Sequence, residues 1–106
     1  MNLDQAIASR TFRGMRGGNE FTISAYLGKP ERASPPDSYY SCPYQITGPY
    51  QSIPLKEARG ADALQALQLA MKMLEIDLVE LREECDGNLW WELAPRMGLD
   101  LAWPLE

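Results

Sequence analysis

No histidine occurs anywhere in the 106 residues. That absence removes Ser-His-Asp and Cys-His catalysis, histidine-liganded zinc, and the commonest general base near neutral pH. Cysteine is scarce: Cys42 and Cys85 stand far apart and in no short-spaced motif. They cannot build a four-thiolate metal site, and two free thiols in a reducing cytoplasm is the simpler expectation. No apolar run approaches the roughly 20 residues needed to span a bilayer, so no membrane partner is expected. Met1 to Arg10 contains Asp4 and no apolar stretch, unlike a secretory signal. The glycines Gly14, Gly17 and Gly18 lack the downstream helix and lysine of a phosphate-cradling loop. The chain is therefore expected to hold no cofactor and no metal, and to act without catalysing a reaction.

What is present is ordinary globular composition, 45% apolar and 24% charged, which argues against disorder of the whole chain. At this length one domain over residues 1–106 is expected. The net charge of −5 is uneven. Residues 1–53 carry five basic and four acidic groups, and residues 54–106 carry five basic and eleven acidic ones. Phosphate-backbone binding needs the opposite sign, so nucleic acid is a poor partner, and a basic protein surface suits the second half better.

The first half reads as strands. Ile7 to Arg13 is strand-tolerant. In Glu20 to Leu27, Phe21, Ile23, Ala25 and Leu27 alternate with Thr22, Ser24 and Tyr26, a period of two that gives one buried and one wetter face. Between them Gly17-Gly18-Asn19 supplies the positive φ angles of a hairpin. Lys29 to Ser38, with three prolines, reads as a loop. Tyr39 to Thr47 is a third strand with Tyr40, Cys42, Tyr44 and Ile46 on one face; Pro43 implies an edge or a bulge at that point. Gln51 to Glu57 is a fourth strand interrupted by Pro54, and Leu89 to Glu92 a short fifth.

From Ala61 to about Glu83 there is neither glycine nor proline. Leu64, Leu67, Met71, Leu74, Leu78 and Leu81 recur at spacings of three and four, one stripe of a helix. Ala63, Ala66 and Ala70 extend it with side chains small enough for close approach to a sheet. Gly60 or Asp62 opens the helix, an acid there suiting the dipole. Asp86-Gly87 closes it, and an irregular tail follows from about residue 93. Strands first and then one helix, without β-α-β alternation, predicts an α+β domain: an antiparallel sheet of four to five strands under one long helix at about 61–83.

Three groups of residues stand out. Glu75, Asp77, Glu80, Glu83, Glu84 and Asp86 are read first as a solvated helix face and next as a docking face for a basic partner; as a metal site, Asp77 and Glu80 leave several ligand positions empty. Arg10, Arg13 and Arg16 form the one basic cluster, read as surface solubilisers with anion binding as the alternative. Among the aromatics, Tyr39 lies across the strand from Tyr40 and Tyr44, and adjacent Trp90 and Trp91 point to opposite faces of an extended segment. One exposed tryptophan is a candidate binding hot spot.

The run Gly60-Ala61-Asp62-Ala63-Leu64-Gln65-Ala66-Leu67-Gln68-Leu69-Ala70-Met71, following several strands, resembles small bacterial domains of strand-strand-strand-strand-helix type, some of them similar to immunity proteins. That resemblance spans Phe21 to Leu81 and rests on a helix-packing pattern, so it implies a binding protein and carries over no site residue. The expectation is a non-enzymatic protein-binding module, in the manner of an immunity-type inhibitor of a basic toxin or effector. Glu80, Glu83, Glu84 and Asp86 would supply the field, and Trp90, Trp91 and Tyr39 the contact energy. Two alternatives are a small enzyme or ligand-binding domain, with a cleft between sheet and loops in which Arg10, Arg13 and a tyrosine hold an anion, and a homodimer or other self-assembly built on Leu69, Ile76 and Val79 outside the main helix stripe.

Overall fold

The computed structural model describes residues 5–49, 53–85 and 88–90. It is an α+β fold in which one long helix crosses an antiparallel sheet. The expected Asp86, Trp91 and irregular tail lie outside the described residues.

β1 (Ala8–Arg16) and β2 (Asn19–Leu27) form a hairpin paired along its whole length, Ala8 opposite Leu27 and Arg16 opposite Asn19. The two-residue turn places Gly17 at φ +58° and Gly18 at φ +80°, the left-handed pair that matches the twist of flanking strands. β4 (Tyr40–Thr47) pairs with β2 through Tyr44 to Thr47, and β3 (Glu31–Arg32) continues along that same side at Tyr40 and Ser41. β5 (Ile53–Gly60) takes the other side of β4. β6 (Leu89–Trp90) lies against the outer side of β1. The four long strands are those expected from sequence, and β6 begins where the short fifth was expected; β3 is the addition, a two-residue strand inside the segment read as a loop.

Pro43 does not mark an edge, because β4 is flanked on both sides. The main-chain N–H of Gly28 donates to the Pro43 carbonyl at 2.8 Å, so the polar groups of Pro43 face the β2 side, just past the last β2–β4 pair. The reciprocal donor that proline lacks is replaced by the Cys42 thiol, which donates to the Gly28 carbonyl at 3.4 Å. The irregularity in β4–β5 pairing falls beyond Tyr44, opposite the stretch of β5 that contains Pro54. There an extra residue takes up the position of the second proline.

α1 (Ala63–Glu84) begins at Asp62, not Gly60. The Asp62 carboxylate accepts from the Gln65 N–H at 2.8 Å, and the Gln65 side chain accepts in return from the Ala61 N–H at 2.6 Å. These two bonds satisfy donors that a helix start would leave bare. Gly60 serves another purpose: a Cβ there would stand 2.5 Å from the backbone nitrogen of Ala66. Strand and helix touch backbone to backbone at this point.

That close approach decides which residues are buried. At the start of α1 the sheet meets Ala66 and Ala70, both fully buried, whereas Leu64, expected in the stripe, is 63% exposed. Farther along, where the gap is wider, Leu74, Leu78 and Leu81 fill it, with Leu67 and Met71 partly buried beside them. Phe21, Ile23, Ala25, Leu27, Cys42, Tyr44 and Ile46 form the sheet side of this core, as the alternation predicts, and Phe12 of β1 and Ala58 of β5 join them. α1 lies mainly over β5 and β4, less over β2. The opposite face of the sheet is covered by no described element.

Candidate binding surface

Sheet register settles where each predicted site residue points, because directly opposed residues share a face. Leu89 stands opposite Gly14 and is buried toward the helix, so Trp90, opposite Arg13, belongs to the open face and is half-buried. Tyr26, opposite Ser9 and Gln45, shares that face and is also half-buried. Tyr39 precedes β4 out of phase with buried Tyr44 and Cys42. The Arg59 guanidinium lies over its ring at 4.5 Å, a cation–π contact at the β5 side of the sheet. Three aromatic rings are thus spread across one open surface, from β6 at one edge to Tyr39 near the other.

Around them the open face is polar, with side-chain contacts between β1 and β2 and along β5. Arg13 pairs with Glu20 at 2.8 Å, Thr11 and Ser24 hydroxyls meet at 3.3 Å, and Arg59 pairs with Glu57 at 3.3 Å. Met15 and Leu55 are exposed there. A shallow hollow of about 600 Å³ runs over Ser41 and Pro43, between Lys29 and Glu31 on one wall and Leu55 and Glu57 on the other.

The acidic set does not behave as one group. Glu80, Glu83 and Glu84 are exposed near the helix C-terminus, on the helix side of the sheet. Trp90 is on the other side, and Tyr39 is at the far end: Tyr40 pairs with Gly60 beside the helix start, and 22 residues of helix span roughly 33 Å. The predicted field and the predicted anchors therefore occupy different places. Asp77, expected on the solvated face, is buried toward the sheet instead. Its carboxylate accepts from the Tyr44 hydroxyl at 3.1 Å and from Lys56 at 3.4 Å. Burial, followed by the charge of Asp77 and its hydrogen bond, pushes the Tyr44 phenol well above its ordinary value. This polar contact between helix and sheet was missed from sequence; a charged residue in phase with Ala70, Leu74 and Leu81 was the available signal.

The arginines are divided as well. Arg13 is on the open face with Glu20, while Arg10 is on the helix side and lines a narrow cavity of about 160 Å³ with Leu27, Met71, Leu74 and Leu78. Arg10, Arg13 and a tyrosine do not share a cavity among the described residues. Cys42 and Cys85 are both buried and not joined in a disulfide, and burial raises the Cys42 thiol pKa. Among the described residues no three of Asp, Glu and Cys are grouped to hold a metal ion, and no helix is long and apolar enough to cross a membrane.

No curated protein and no solved structure matches this chain. Residues 8–102 match the family described as "Domain of unknown function (DUF6968)", and the chain belongs to that family.

Proposed function

We propose that the domain is a non-enzymatic protein-binding module whose contact surface is the open face of the sheet. The observation that carries this reading is the placement of Trp90, Tyr26 and Tyr39 together on a face that no described element covers. Aromatic side chains bury large area at small rotamer cost, and they anchor interfaces when surrounded by polar groups. The acidic helix end acts at a distance. With five acidic side chains against two basic ones along α1, it draws a basic partner toward the molecule and raises the association rate without belonging to the contact.

A basic toxin or effector neutralised by occlusion is the partner this arrangement suits, and the immunity-type resemblance of the Gly60–Met71 run supports that choice. The test is affinity capture from the native cell with the wild-type domain, Trp90→Ala, and the triple variant Glu80→Gln, Glu83→Gln, Glu84→Gln. A single partner should be retained by the wild type and weakened about 30-fold by Trp90→Ala, the effect of a hot-spot loss of about 2 kcal/mol. The triple variant should slow association at low salt and leave dissociation unchanged. Retention of the partner by Trp90→Ala at wild-type strength would remove the open face from the account.

A further inference from the structure

The second side of β5 is unpaired among the described residues, and its residue pattern is complementary to itself. The direction of its polar groups follows from the ladder. Pro43 directs its carbonyl to Gly28, away from β5, so the neighbouring Cys42 and Tyr44 direct theirs toward Ala58 and Lys56. Glu57 and Arg59 are out of phase with those residues. Their main-chain N–H and C=O groups point outward, along the free side.

We propose that this side pairs with the same strand of a second copy of the chain, antiparallel about a two-fold axis through Ala58. In that register Glu57 stands opposite the second copy's Arg59, and Arg59 opposite its Glu57. Four main-chain hydrogen bonds form, two at each pair. The same two pairs set opposite charges face to face on the open side of the sheet. Ala58 meets its own copy where the strands are closest, and its small side chain suits that position. Like charges at these positions would repel a second copy, as edge strands commonly arrange; here the sequence Glu57-Ala58-Arg59 gives attraction.

The helix fits the same arrangement. Gly60 touches Ala66 and Lys56 reaches Asp77, so Ala58 lies beneath the turn around Ala70 to Met73. With α1 over β4 and β5 and strands about 4.8 Å apart, two such helices would run antiparallel at about 10 Å, a packing distance for neighbours. Met71 and Leu78 turn to the β1–β2 flank, which leaves Leu69, Met73 and Ile76 on the flank toward the free side of β5. Leu69 and Ile76 are 39% and 47% exposed there. Joining the sheets would bring Leu69 and Met73 against their copies and make one continuous open face from two.

Charge-swap sedimentation of the full chain tests this. The wild type should sediment as a dimer of the 12.0 kDa chain at micromolar concentration. Glu57→Arg places Arg against Arg, and Arg59→Glu places Glu against Glu; each alone should weaken the dimer about tenfold or more. Both side chains are well exposed, so circular dichroism should stay native. An equimolar mixture of the two variants restores both opposite-charge pairs and should recover the dimer as a heterodimer. A monomeric wild type, single variants that stay dimeric, or a mixture that stays monomeric would each overturn the proposal.

Discussion

The Tyr44 hydroxyl donates to the Asp77 carboxylate at 3.1 Å, joining the central strand β4 to the middle of α1. Both residues are buried, so each removes the cost of the other's desolvation. Lys56, half exposed at 3.4 Å, adds a positive charge from β5. Helix, central strand and edge strand are tied at one carboxylate. The contact fixes how far along β5 the helix lies, and so where its acidic end stands.

Removing either partner should leave the other unsatisfied. Tyr44→Phe and Asp77→Ala are each expected to cost about 1–3 kcal/mol in urea unfolding. The double variant should cost less than the two together by roughly 1 kcal/mol, the coupling of a buried hydrogen bond. Additive costs would show that the two residues act separately.

Alkaline stability follows from the same pair. Tyr44 keeps its proton in the folded state well above the ordinary tyrosine value of 10.0, whereas the unfolded chain releases it there. Above that pH the unfolded state binds fewer protons, so stability falls as pH rises. The contribution should be whole below pH 9 and be lost progressively above 10. Cys42, raised from 9.0 by burial, adds in the same direction from about pH 9. Unfolding measured between pH 8 and 11 should show this decline, and Tyr44→Phe should flatten the part above 10.

Gly60→Ala tests the close approach of strand and helix. A Cβ 2.5 Å from the Ala66 nitrogen forces the helix start away from β5. The expected cost is about 1–3 kcal/mol, typical of overpacking, seen as a lower thermal midpoint. An unchanged midpoint would mean that the helix can move without loss.

Asp62→Ala removes the cap at Gln65 and should cost about 1 kcal/mol, while Asp62→Ser or Asp62→Asn should retain most of it. Thermal melts of the three variants compare them directly.

Much of this architecture was legible in the chain. The alternation of Phe21, Ile23, Ala25 and Leu27 and of Tyr40, Cys42, Tyr44 and Ile46 assigned the buried faces, because strand period depends only on neighbouring residues. The helix was placed within two residues at its start and one at its end. Leu64 was misplaced because a wheel drawn from leucines takes no account of how near the sheet comes; Gly60 and Ala66 set that distance. Pro43 suggested an edge or a bulge, yet the donor it lacks is replaced by the Cys42 thiol at the carbonyl of Gly28, a residue brought there by pairing and not by local sequence. The candidate site was least legible. The sequence set Trp90 and Trp91 on opposite faces but left open which of them faces away from the core, because the face of Trp90 depends on its register with Arg13, 77 positions earlier. The burial of Asp77 depends likewise on Tyr44 in another strand.

The most direct measurement of the functional account is backbone amide mapping by NMR as the captured partner is titrated into the labelled domain. Changes should concentrate at Thr11, Ser24, Tyr26, Tyr39 and Trp90, with the amides of Glu80 and Glu83 responding weakly. Changes confined to α1, with those sheet amides unmoved, would contradict a binding surface on the open face.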